Sequence, residues 1–334
     1  MNWFYQIILS LPLPTSILGL ILLSLGLYCL YLGADWLING STKVAQSLAV
    51  SPLIIGLTIV AVGTSLPELI VGINAAMANS SDLLLGNVIG SNIANVFLIL
   101  GLGAIIANTP ISKNTFYFEL PIAIYASLLL LWFSLKGTIG TPQAIILLLS
   151  AGGFFAYTFY QAKPPTTTKT KRQNKKVLTA KNLNLPWQLA LIIIGLLFLF
   201  FGGNTTVEGA KIVAQALGLP EVLIGLTIVA VGTSLPELIT TLLCAWRGQT
   251  DLAVGNIIGS GALNTFLILG IAGLWSPIKI APQLTLDLWF NLATFVTVIL
   301  LLYRKNPKVL KRTHGILLLS LYLIYLLTMI GKVN

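Results

Sequence analysis

Charge is scarce in this chain. Of 334 residues nine are acidic and nineteen basic, 8% in all, against 56% hydrophobic. So little polar surface cannot coat a soluble globule of this length, and a mean hydropathy of +0.93 places the chain in lipid. Cysteine occurs twice and histidine once. Cys29 and Cys244 both fall in apolar stretches, which excludes a disulfide framework and fits small packing residues. His314 stands beside Lys311 and Arg312, a solvated position and not a metal ligand. With no buried histidine or lysine placed to activate a serine, an enzyme is not expected. The start, MNWFYQIILSLPLP, lacks the basic segment of a cleaved signal peptide. The net charge of +10 comes without a basic groove of stacking aromatics, so no nucleic-acid partner is expected.

What is abundant is apolar sequence in long runs. Ten segments are long enough to cross a bilayer, at about 14–38, 52–78, 83–107, 115–135 and 142–161, then about 187–216, 220–246, 252–275, 282–303 and 310–330. The expected fold is an all-α polytopic membrane protein of about ten transmembrane helices in two five-helix repeats. An odd number of spans per repeat starts the second on the opposite side of the membrane, so the repeats are inverted. Residues 1–162 form the first repeat, 163–185 a basic linker with Pro164, Pro165 and a threonine run, and 186–334 the second repeat. With the linker in the cytoplasm and both termini outside, fifteen of the nineteen basic residues lie inside, as lipid-embedded proteins prefer. The lipid bilayer accounts for the exposed apolar surface, and no obligate protein partner is evident.

The repeat is visible in the residues themselves. IGLTIVAVGTSLPELI runs from Ile55 to Ile70 and recurs unchanged from Ile224 to Ile239. The same offset of 169 pairs Asp82 with Asp251, Asn87 with Asn256, Ser91 with Ser260 and Asn95 with Asn264. Each copy carries one glutamate, Glu68 and Glu237, deep in an apolar span, where a carboxylate costs about 2.5–3.5 kcal/mol even on lenient scales. The seven other acids, Asp35, Asp82, Glu119, Glu208, Glu221, Asp251 and Asp287, are expected near span ends, within reach of water. A carboxylate accepted twice at equivalent depth points to cation transport.

The residues around the glutamates carry the same chemistry. Proline cannot hydrogen-bond the carbonyl four residues earlier, so Pro67 and Pro236 free the carbonyls of Gly63 and Gly232 and unwind a turn. Thr64, Ser65 and Glu68, with Thr233, Ser234 and Glu237, then offer hydroxyls, carboxylates and free carbonyls, the oxygen ligands hard cations prefer. A second cluster follows in each half, GNVIGSNIAN from Gly86 and GNIIGSGALN from Gly255. Ser91 and Asn95, like Ser260 and Asn264, are four apart and share a helix face. Gly86 with Gly90, and Gly255 with Gly259, have the spacing of close helix contacts.

GTSLPE in each half, followed by these GN-x-x-GS segments in an inverted five-plus-five arrangement, resembles the cation/calcium antiporter superfamily, most closely its prokaryotic sodium/calcium exchangers. The resemblance implies that Glu68 and Glu237 coordinate Ca2+ with the carbonyls of Thr64 and Thr233. It implies Na+ sites built from Ser65, Ser91, Ser234, Ser260, the carbonyls of Ala61 and Ala230, and the same glutamates. Ca2+ and Na+ would be the transported ions, with no organic cofactor, in a prokaryotic plasma membrane. Asn264 stands where some prokaryotic members carry aspartate, and Gly261 where the first repeat has Asn92.

Two carboxylates in a low-dielectric cavity repel each other, so the site must hold cations or protons. One Ca2+ neutralises the pair, and Na+ ions sharing its oxygens would compete with it, which is the condition for exchange by alternating access. A proton/calcium antiporter would use the same carboxylates as proton carriers. A channel would need a continuous filter, and a Ser65- or Ser234-based intramembrane hydrolase would need a base.

Overall fold

Apolar runs with few helix breakers fold as long helices, because lipid offers no partner for a free backbone polar group. The computed structural model describes residues 14–48, 50–161, 184–218 and 230–333. Residues 163–183 of the expected linker and most of the first half of the seventh expected span lie outside the described residues, and the last two linker residues, Asn184 and Leu185, cap and begin a helix. The helices are α1 (Thr15–Leu48), α2 (Pro52–Thr64), α3 (Leu66–Met77), α4 (Ser81–Ile106), α5 (Thr115–Ser134) and α6 (Thr141–Gln161). In the second half they are α7 (Leu185–Ala216), α8 (Leu235–Trp246), α9 (Thr250–Trp275), α10 (Pro282–Leu302) and α11 (Arg312–Val333).

Among the described residues eight helices are long and apolar enough to cross a membrane, and nine when α2 and α3 count as one bent span. Of the span expected at about 220–246, a short turn at Ala230–Gly232 and α8 supply the described helical part. The first span runs past its expected end at 38 to Leu48, because its polar residues find partners: Asn39 Nδ2 donates to Asp35 at 3.1 Å and Thr42 to Gln249 Oε1 at 3.1 Å.

α1 and α7 pack antiparallel along a stripe of glycines seven residues apart, Gly19, Gly26, Gly33 and Gly40 against Gly195, Gly202 and Gly209. A Cβ at Gly33 would lie 2.7 Å from Gly195 O and Leu199 N, and one at Gly195 would lie 2.8 Å from Gly33 O and Leu37 N. These are backbone atoms, which cannot swing aside, so only glycine lets the axes approach this closely. The spacing of seven keeps one face of each helix turned to the other.

The two halves interlock elsewhere in exchanged pairs. Each half's last helix lies on the other's central one, α11 against Gly101 through Leu318 and α6 against Gly270 through Leu148. Short strands β1 (Thr109–Pro110), β2 (Thr138–Ile139), β3 (Ile278–Lys279) and β4 (Val309–Leu310) pair across the halves. β1 runs antiparallel to β4, with Thr109 opposite Leu310, and β2 to β3, with Ile139 opposite Ile278. Exchanging the halves turns one pair into the other, the mark of an inverted repeat. α4 and α9 are the most enclosed of the described spans.

Two acids depart from expectation. Glu119 and Asp287, expected within reach of water at span ends, are 2% and 5% exposed. Local hydrogen bonds replace the water: Asn114 Nδ2 donates to Glu119 Oε1 at 3.1 Å, and Tyr325 donates its hydroxyl to Asp287 at 3.2 Å.

Candidate cation-binding site

The site is built on broken helices. Between Gly63 and Pro67 the chain leaves helical geometry at Ser65 (φ −81°, ψ 6°), and α3 restarts at an angle of 47° to α2. Ser234 repeats this conformation (φ −88°, ψ 9°) at the start of α8. Each break therefore puts a glutamate, Glu68 or Glu237, in the first turn of a new helix, where the unpaired N–H groups and helix dipole favour a negative charge.

Both glutamates are fully buried. Each takes a hydrogen bond from the opposite half: Ser65 donates to Glu237 Oε1 and Ser234 to Glu68 Oε1, both at 3.1 Å. The second oxygen of each carboxylate is buried without a partner. Thr64, Ser91, Asn95, Ser260 and Asn264 are likewise buried, to 2% exposure or less. Ser260 lies within interaction range of Glu237 but makes no hydrogen bond. Both polar atoms of Asn95 and of Asn264 also lack partners. Buried polar atoms are rarely left unpaired, and the unpaired carboxylate, amide and hydroxyl oxygens are of the kind that hard cations prefer.

Not every expected oxygen is left unpaired. The Thr64 hydroxyl donates to Asn256 Oδ1 at 2.9 Å, and that of Thr233 to Asn87 Oδ1 at 3.5 Å. These hydroxyls brace the broken turns and leave the threonine carbonyls as the ligand candidates. Asn87 and Asn256, absent from the expected site, are the braces, and their place at the repeat offset was the signal for them. Asn256 is itself oriented by donating to Thr241 at 3.2 Å, and Asn87 by donating to the Glu68 carbonyl at 3.2 Å. The Ala61 carbonyl accepts from Ser65 N at 3.1 Å, which leaves it one lone pair. Ala230 begins a short turn, Ala230–Gly232, before the second break.

The local backbone of the central helices adds to the site. Turns with the wider i to i+5 bonding span Ala94–Leu100 in α4 and Asn264–Ile268 in α9, so each site asparagine stands at the start of one. Such turns cluster where a helix presents functional groups. Gly255 and Gly259 let α9 meet α2, with Cβ positions 3.0 Å from Gly56 Cα and 2.9 Å from Leu57 Cα. The stretch that the repeat offset relates to that face of α2 lies outside the described residues. The Gly261 asymmetry has a steric reason: a Cβ there would lie 3.0 Å from Phe295 Cζ, beside Asn92, which donates across the halves to Thr265 at 2.9 Å.

A cleft of about 280 Å³ is lined among others by Val71, Asn204, Val207 and Thr233. Pro67 and Pro236, the neighbours of the two glutamates, also line it.

The sequence matches the family described as sodium/calcium exchanger protein over residues 18–161 and 187–331. It is 33% identical to the putative antiporter CaxA of Alkalimonas amylolytica, covering 90% of this chain and 95% of that one. To the sodium/calcium exchanger MaX1 of Methanosarcina acetivorans it is 30% identical, covering 92% and 97%. Among solved structures it resembles the sodium-calcium exchanger NCX_Mj soaked with 2.5 mM Na+ and 0.1 mM Ca2+, with a TM-score of 0.77 and 31% identity over 92% of this chain and 97% of that one. With nearly its whole length matched in sequence and fold, the chain belongs to the sodium/calcium exchanger protein family.

Proposed function

We propose that this protein exchanges Na+ for Ca2+ across a prokaryotic plasma membrane, by alternating access to one site held by Glu68 and Glu237. The observation that carries the reading is the buried pair of carboxylates, each with one oxygen bonded to a serine of the opposite half and one left free. In this reading a Ca2+ ion takes the two free oxygens and the carbonyls of Thr64 and Thr233. Ser65, Ser91, Ser234, Ser260, Asn95, Asn264 and the carbonyls of Ala61 and Ala230 serve Na+. Both ions draw on the same two charges, so one displaces the other, and an emptied site leaves two buried charges unbalanced. That penalty disfavours return of the empty carrier and couples the two fluxes.

Residues 1–162 and 186–334 act as the two inverted halves, with the 163–185 linker in the cytoplasm and both termini outside. The test is Ca2+ uptake into proteoliposomes loaded with Na+ and diluted into Na+-free buffer with a proton ionophore present, for the wild type and Glu237→Gln. Uptake that needs the Na+ gradient and disappears in the variant is expected. Uptake that ignores Na+ and follows an imposed pH gradient would assign the carboxylates to proton exchange instead. No uptake under either gradient would overturn the calcium assignment.

A further inference from the structure

The repeat offset relates α1 to α7 residue by residue, and it maps the walls of the open cleft onto a second surface. Asn204 corresponds to Asp35, Val207 to Ile38, Thr233 to Thr64, and Val71 to Thr240. On the cleft side Val207, Thr233 and Val71 are partly exposed. Their counterparts Ile38, Thr64 and Thr240 are 0% exposed. The two surfaces lie on opposite sides of the helix pair's centre. In the glycine register Asn204 stands level with about Gly26, so it and Asp35 are about nine residues apart along α1, about 14 Å at 1.5 Å per residue.

A polar tie distinguishes the closed side. Asp35 accepts from Arg247 Nη2 at the carboxyl end of α8, and Thr42 donates to Gln249 Oε1 at 3.1 Å. These bonds fasten α1 to the turn between α8 and α9. The offset puts Ala78 and Ser80 where Arg247 and Gln249 stand, so the related turn offers α7 no cation. Asn204 and Lys211, the counterparts of Asp35 and Thr42, bond within their own helix, to Phe200 O at 2.9 Å and to Glu208 at 3.6 Å.

We infer that the Asp35–Arg247 ion pair is a latch that holds shut a second access route to the cation site along α1, and that the freed Asp35 carboxylate lines that route's mouth when it opens. The inference rests on the alternating access proposed above. The side chains of Arg247 and Asp35 are 23% and 25% exposed, so separating them leaves two mostly buried charges in need of water or counter-ions. Opening of the route supplies that water. The two mouths also differ in chemistry, with Asp35 and Arg247 on one side and Asn204 and Lys211 on the other.

The test uses the full chain in proteoliposomes, with Cys29 and Cys244 replaced by alanine and a single cysteine at Ile38 or Val207. A membrane-impermeant maleimide is applied from each side in turn. Arg247→Gln is expected to raise labelling of Ile38→Cys at least threefold and to lower that of Val207→Cys in parallel. The charge-reversed pair Asp35→Arg with Arg247→Asp is expected to restore both rates, which also shows that the chain is folded. Unchanged rates in Arg247→Gln would overturn the latch. So would a rise at Ile38→Cys with no fall at Val207→Cys, the result of local loosening. Labelling that switches sides in a protein that moves no Ca2+ would sink the exchange reading and leave the latch standing. Ca2+ exchange with unaltered labelling would sink the latch alone.

Discussion

Ser65 stands three residues before Glu68, yet its hydroxyl goes to Glu237 in the other half. A double-mutant cycle separates the two pairings. Ser65→Ala removes the donor, and Glu237→Asp keeps the charge but draws the carboxylate back by about one C–C bond, 1.5 Å. A contact of 3.1 Å does not survive that withdrawal. A hydrogen bond to a charged group contributes about 1.5–3 kcal/mol, and with the two residues 4% and 0% exposed no water takes over. Part of that remains when the cation is bound, so the expected coupling is about 1–2 kcal/mol, roughly 5- to 30-fold in the half-saturating Ca2+ concentration. The companion cycle, Ser65→Ala with Glu68→Asp, is expected to couple by less than about 0.5 kcal/mol. The assay is initial Ca2+ uptake against Ca2+ concentration at fixed low Na+ for the wild type, the single variants and both doubles. Equal or stronger coupling between Ser65 and Glu68 would refute the cross-half pairing.

Gly33 and Gly152 should respond to alanine with opposite signs. At Gly33 the new methyl meets backbone atoms at 2.7 Å and costs about 1–3 kcal/mol of overpacking, whereas Gly152 has nothing within 4 Å and gains about 0.5–1 kcal/mol of helix preference. Thermal unfolding in detergent checks this, and a Gly33→Ala variant as stable as the wild type would refute the close-contact account of the α1–α7 pair. Asn264→Asp adds a third carboxyl where both side-chain polar atoms lack partners. Ca2+ uptake is then expected to fall severalfold more than in the wild type between about pH 8 and pH 6, as protons compete for the added group, and a parallel pH profile would place residue 264 outside the cation site.

Much of the site was legible because lipid makes polar residues conspicuous. Glu68 and Glu237 stand out as acids in the middle of spans, and the flanking prolines mark the breaks that the structure places at Ser65 and Ser234. The same logic failed for Glu119 and Asp287, whose partners Asn114 and Tyr325 are recognisable only once the chain is folded. The braces Asn87 and Asn256 were visible as repeat positions but not as partners of Thr64 and Thr233. The heptad glycines of α1 and α7 were also on the page, but a spacing does not say which helix it faces.

The sequence by itself determined that the chain lives in lipid, that it is built from two related halves, and that each half brings one carboxylate to membrane depth. These follow from composition and from an offset of 169, which need no knowledge of contacts. Tertiary structure alone decided that each serine serves the other half's glutamate, that α1 and α7 meet on glycine, and that Asp35 of α1 pairs with Arg247 at the end of α8. A repeated sequence specifies two equivalent halves; which atoms meet between them depends on packing across distances that local spacing does not encode.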